Sequence, residues 1–106
     1  DWTRPAAEVD WHIRAMQPWP KPFTFWQRSD GKPLRLVVPR VRLHDARSAE
    51  LPGTVLPDDQ GRLLVQTGTD VVEILDIQPD GKRVMPAADF TRGRPIPPGD
   101  RLGPVA

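Results

Sequence analysis

Apolar residues near the start of the chain recur at Ala6, Val9, Ile13 and Met16, spacings of three and four that align them on one face of a helix. Thr3 is the expected N-cap, and Pro5 falls in the first turn, where its missing N–H does no harm. Pro18, Pro20 and Pro22 then predict a helix end near Gln17 and an extended connector around Trp19. Trp11 lies almost opposite Val9 and outside the stripe. Two roles stay open for it: packing flat on a neighbouring edge or loop, or contact with a partner or another domain.

From Phe23 onward the period changes to two. Residues 23–28 read as a strand, Ser29-Asp30-Gly31-Lys32 as a tight turn, and residues 34–44 as a long second strand. Within that strand the apolar parity switches. Leu36 and Val38 are even, whereas Val41 and Leu43, after Pro39, are odd. A bulge at Pro39 reconciles them, pointing Leu36, Val38, Val41 and Leu43 inward and Arg35, Arg40, Arg42 and His44 outward. Leu51-Pro52-Gly53 opens a third strand at 54–56. Asp58-Asp59-Gln60-Gly61 turns into a fourth at 62–66, and Gly68-Thr69-Asp70 into a fifth at 71–77. Residues 86–90 are expected to form one helical turn, and the Gly/Pro-rich tail to wrap the body without adding a long element. The result is a mostly β fold of five short strands, a small closed or nearly closed barrel.

The length of 106 residues suits a single domain, with 1–22 as leading helix and connector and 23–106 as barrel and tail. Fourteen Pro and eight Gly disfavour long helices. No run approaches the roughly 18 apolar residues of a membrane span, so the expectation is a soluble protein without a membrane partner. The absence of Cys removes disulfides and thiolate metal sites, and His12 and His44 are too few for zinc; no metal is expected. The net charge of +1 is unevenly distributed. Residues 1–50 hold nine Lys/Arg against six acids, 51–80 hold one against six, and 81–106 hold five against two. Two basic segments thus flank an acidic one. A phosphate-binding face arises if the fold brings the basic segments together while the acidic stretch faces elsewhere.

Several motifs carry a family resemblance. Ile77-Gln78-Pro79-Asp80-Gly81-Lys82-Arg83, Met85-Pro86-Ala87-Ala88-Asp89-Phe90 and Pro98-Gly99-Asp100-Arg101-Leu102-Gly103 resemble the end of the methionyl-tRNA formyltransferases. Asp1-Trp2-Thr3-Arg4-Pro5-Ala6 and Ile13-Arg14-Ala15-Met16-Gln17-Pro18-Trp19-Pro20 are similar to the opening of that family's C-terminal domain, in the same order. The resemblance implies an OB-like barrel that helps to hold initiator methionyl-tRNA. In the family, a separate N-terminal domain carries the catalytic Asn, His and Asp and uses 10-formyltetrahydrofolate as formyl donor. This chain contains no Asn, and neither His has an acid and a nucleophile spaced around it. It is therefore expected to be a non-catalytic piece without a cofactor of its own. Its implied partners are the tRNA and the N-terminal catalytic domain, in a cytoplasmic, monomeric enzyme. The rival within the group is the companion domain of a sugar N-formyltransferase, and a different class is a standalone interaction module using Trp11 and the proline tail.

The candidate nucleic-acid-binding residues are Arg35, Arg40 and Arg42 on the bent strand, with Lys82, Arg83, Arg92, Arg94 and Arg101 near the C-terminus. Arg and Lys read phosphate without sequence information, so such a module raises affinity and orients tRNA. Stacking on aromatics is not expected, because there is no Tyr and the three Phe fall where the core wants them. Other motifs fail on ligand count or specificity. An EF-hand-like start at Asp76 would place Ala87 at the twelfth position, and Pro95-Ile96-Pro97-Pro98 reads as a rigid loop before it reads as a PxxP ligand.

Overall fold

The computed structural model describes residues 2–15, 23–28, 32–58, 61–79 and 81–103. The expected helix end near Gln17 with Met16, the proline connector at 18–22, and the turn residues 29–31 and 59–60 lie outside them. The first helix, α1 (Ala6–Ala15), buries Ala6, Val9 and Ile13 as the stripe requires. Its start differs from expectation. The Pro5 carbonyl accepts from the N–H groups of Glu8 and Val9 at 3.0 Å, so Pro5 precedes the helix. The free N–H of Ala6 donates to Oγ1 of Thr69 at 2.9 Å. A hydroxyl 63 positions away thus does the capping assigned to Thr3. Trp11 is 64% exposed.

The strands are β1 (Phe23–Gln27), β2 (Leu34–His44), β3 (Val55–Leu56), β4 (Leu63–Gln66), β5 (Val71–Pro79), β6 (Met85–Pro86) and β7 (Arg101–Gly103). A second helix, α2 (Ala87–Gly93), follows β6 and is longer than the single turn expected. All the pairings are antiparallel, in the order β3-β4-β5-β2-β1-β7, with β6 on β5. The five expected strands are present, and the stretch read as turn and tail contributes two more short ones. An isolated bridge joins Thr54 to Arg101. Around it Leu102 N–H donates to Gly53 O, Val55 N–H to Asp100 O and Gly99 N–H to Val55 O, each at 2.8 Å. The lead into β3 therefore touches the strand at the other end of the order.

The parity switch in β2 is real. Val37 pairs with Gln78 and Arg40 with Asp76, so β2 advances three residues while β5 advances two; the reverse irregularity follows at Leu75, between Arg40/Asp76 and Val41/Ile74. Leu36, Val38 and Val41 are buried, whereas Arg35, Arg40 and Arg42 are exposed. Leu43 departs from expectation at 45% exposure. The described part of β1 pairs only with Leu34 to Val37, so among the described residues the far half of β2 has a strand on one side alone, and Leu43 sits at that end.

One core unites the elements, with Leu36, Val65, Val72, Ile74, Ile77 and Leu102 almost fully buried and α1 and α2 packed against it through Val9, Ile13, Ala87 and Phe90. Its polar atoms are satisfied. Trp2 Nε1 donates to Thr24 Oγ1 at 3.1 Å, and Trp26 Nε1 to Asp100 Oδ2 at 2.9 Å. No helix among the described residues is long and apolar enough to cross a membrane.

Gly53 is the tightest point of the seam. Its φ of +90° lies in the left-handed region, and a Cβ there would meet the carbonyl oxygen of Leu102. Gly61 has a φ of +76° but open space around it. Gly61→Ala is expected to lose about 1–2 kcal/mol through backbone conformation alone. Gly53→Ala should lose clearly more, because it also forces β3 and β7 apart; urea unfolding of the two variants side by side measures the difference.

Candidate nucleic-acid interface

The outer face of β2 is built by two alternations joined at the bulge. Before it the outward residues are odd-numbered, Arg35 among them; after it they are even-numbered, Arg40, Arg42 and His44. Three guanidinium groups thereby stand along one strand of the sheet, as the sequence predicted. Arg42 has neither hydrogen bond nor ion pair among the described residues and is exposed. Arg40 is engaged, its Nε donating to Asp76 Oδ2 at 2.8 Å. The acidic stretch thus does not face elsewhere. Its strand β5 pairs directly with β2, which puts Asp76 opposite Arg40 and Glu73 opposite Arg42. Glu73 in turn takes His44, Oε1 lying 2.8 Å from Nε2. Two of the acids that lower the net charge of residues 51–80 therefore sit within the basic row.

Lys82 and Arg83 occupy the turn that follows β5. Lys82 N–H donates to Pro79 O at 2.9 Å, and Gln78 Nε2 donates to Lys82 O at 3.0 Å, which fastens the turn to the strand. Because Gln78 pairs with Val37 and Pro79 with Leu36, this turn continues from the end of β2 that carries Arg35. Arg101 reaches the same face from β7. It pairs with Gln27, two residues along from Phe25, the partner of Arg35, and its Nη2 donates to Pro52 O at 3.0 Å.

Arg92 and Arg94 are separate from this row. They belong to α2 and its C-terminal end, and α2 is fixed to the inner side of the sheet by Ala87 and Phe90. Arg92 lies 3.3 Å from Asp89 on the same helix, and both are well exposed. Of the eight candidates, six therefore share a sheet face or the turn beside it, and two stand on α2.

Sequence reasoning missed the aromatic component. Phe23 is 53% exposed, and the Arg35 guanidinium carbon lies 4.6 Å from its ring centroid. Phe25 meets Phe23 edge to face, with centroids 5.7 Å apart. The available signal was the run Phe23-Thr24-Phe25-Trp26, which places aromatics at both parities of one strand. Both sets cannot enter one core, and Trp26 and Thr24 take the inner positions. Among the described residues no group of His and acidic side chains is arranged to hold a metal ion.

A sequence profile described as "Formyl transferase, C-terminal domain" matches residues 1–95. Curated relatives include methionyl-tRNA formyltransferases from Roseiflexus castenholzii, 42% identical over 97% of this chain and 31% of the relative, and from Cereibacter sphaeroides, 43% identical over 95% and 30%. A third, from Myxococcus xanthus, is 41% identical over 95% of this chain and 30% of its own length. The chain thus spans about 30% of the length of these relatives.

The Arg40–Asp76 pair is about two-thirds exposed on the arginine side. A double-mutant cycle with Arg40→Ala and Asp76→Ala is expected to give a coupling of about 0.2–1 kcal/mol in urea unfolding. Such a weak pair leaves Arg40 free to exchange its carboxylate for another anion.

Proposed function

The chain belongs to the formyl transferase C-terminal domain family, and from that premise we propose that it is the tRNA-holding domain of a methionyl-tRNA formyltransferase. In this reading the full-length, cytoplasmic enzyme formylates the amino group of initiator methionyl-tRNA with 10-formyltetrahydrofolate, and the chemistry belongs to an N-terminal domain. The present domain supplies affinity and orientation. One observation carries the proposal: Arg35, Arg40 and Arg42 project from a single face of β2, with Lys82 and Arg83 on the turn beside its Arg35 end. Closely spaced cations on a rigid strand suit a phosphate backbone, which carries its charges at regular intervals. We further read the sheet as an OB-like barrel. The Thr54–Arg101 bridge and the hydrogen bonds around it support this, since they link the two ends of the strand order.

The reading also accounts for the mixture of charges. Asp76 and Glu73 dilute the positive field, which limits non-specific capture of other polyanions. A sugar acceptor, the alternative within the group, would give no use for a cationic row of this length. The relatives' names favour the tRNA enzyme as well.

Two outcomes test the proposal. The purified chain should transfer no formyl group to methionyl-tRNA when supplied with 10-formyltetrahydrofolate, because it has no Asn to match the family's catalytic Asn; measurable formylation overturns the division of labour. It should also bind tRNA weakly, with log K falling against log salt at a slope of about −3 to −4 for about four neutralised phosphates. Arg42→Ala is expected to flatten that slope by about one without changing which tRNA is preferred. Binding that ignores salt, or no binding at low salt, would favour a purely structural companion domain.

A further inference from the structure

We propose that the Phe23–Arg35 stack on the outer face of β1 and β2 seats an unpaired nucleobase, an inference that rests on the RNA-binding reading above. The starting observation is an apolar ring left in water. Phe23 is more than half exposed, although it is the residue of β1 that pairs with Val37 at the centre of the sheet. Its environment is cationic: the Arg35 guanidinium lies over the ring at 4.6 Å, well within cation–π range. Among the described residues Arg35 has no hydrogen bond and no ion pair, so its fork of N–H donors is unspent.

That combination differs from the other arginines of the face. Arg40 is paired with a carboxylate and Arg101 donates to a carbonyl, whereas Arg35 is held by a ring. A guanidinium held over an aromatic ring leaves its other side toward solvent, and RNA bases stack on guanidinium planes as well as on rings. Phe25, edge-on to Phe23, and the antiparallel ladder beneath both hold the platform rigid, so little ordering entropy is lost when a base settles on it.

The neighbouring groups supply the rest of a nucleotide site. Phe23 pairs with Val37, and Val37 with Gln78, whose side chain fixes the turn of Lys82 and Arg83. This row crosses three strands and spans about 10 Å from Phe23 to Gln78. A base on the stack would thus have phosphates within reach of the turn's two cations. A continuous duplex cannot use the stack, because its bases are covered on both faces by their neighbours. The occupant is therefore a nucleotide outside a helix, in a loop, a bulge or a single-stranded end.

The test titrates the 106-residue chain with three labelled RNAs: a tRNA, a single-stranded oligoadenylate and a long duplex whose interior pairs far outnumber its ends. Three variants are compared with the unaltered chain: Phe23→Ala, which removes the ring; Arg35→Lys, which keeps the charge but loses the plane; and Arg42→Ala, which removes charge alone. Phe23→Ala and Arg35→Lys are expected to weaken oligoadenylate and tRNA binding by about 5- to 150-fold, leaving the salt slope and the duplex affinity unchanged. Arg42→Ala should flatten the salt slope for all three RNAs. If both stacking variants bind oligoadenylate and tRNA as the unaltered chain does while Arg42→Ala flattens the slope, the base seat is wrong and the RNA-binding reading stands. Equal losses on duplex and single strand also overturn the seat. If the unaltered chain binds none of the three RNAs at low salt, both fall together.

Discussion

The bulge at Val38 and Pro39 in β2 is the constraint on which the remaining structure depends. β2 is the central strand, shared by β1 on one side and β5 on the other, and it carries both core residues and surface cations. A regular strand could not bury Leu36 and Val41 on the same face, since they differ in parity. The extra residue sits where it disturbs the ladder least, because Pro39 has no N–H to offer. β5 answers with its own irregularity at Leu75, and the register recovers so that Val41 and Ile74 meet inside. The same local event turns Arg40 and Arg42 outward beside Arg35.

The ends of the chain depend on that frame through a small set of long-range bonds. Gly53 donates its N–H to Gln66 O at 2.7 Å and accepts from Leu102 N–H at 2.8 Å, so one residue without a side chain lies between β4 and β7. At the N-terminus, Gly68 N–H donates to Arg4 O at 2.9 Å, and Thr69 takes the first N–H of α1. The turn between β4 and β5 thus serves as the seat of the helix. Most of these contacts join segments far apart in sequence.

The electrostatics of the outer face follow from antiparallel pairing. Because β5 carries the acids and lies beside β2, Arg40 and Arg42 past the bulge each stand opposite a carboxylate. Arg40 and His44 are partnered in this way, while Arg42, Lys82 and Arg83 keep their charge toward solvent. Exposed pairs of this kind contribute little to stability, so their main effect is to lower the positive field over this face.

What was legible in the sequence was whatever local chemistry fixes. The stripe of Ala6, Val9 and Ile13 determined a helix and its buried side, the extent of β2 could be read residue by residue, and the parity change across Pro39 determined the bulge. The motifs shared with the formyltransferases likewise stood in the open. Tertiary structure decided whatever depends on a distant neighbour. The cap of α1 comes from Thr69 rather than Thr3, because the N-terminal segment docks on the turn between β4 and β5. Leu43 is exposed at the end of β2 that, among the described residues, only β5 flanks, a matter of pairing that no alternation contains. β7 exists because β1 and the lead into β3 offer it free backbone groups; alone, Arg101-Leu102-Gly103 is too short to declare itself. The site divides in the same way: parity alone put the arginines of β2 outside, but only the pairing of strands could place Asp76 beside Arg40 and Phe23 beneath Arg35, because a cross-strand neighbour is set by register and not by position in the chain.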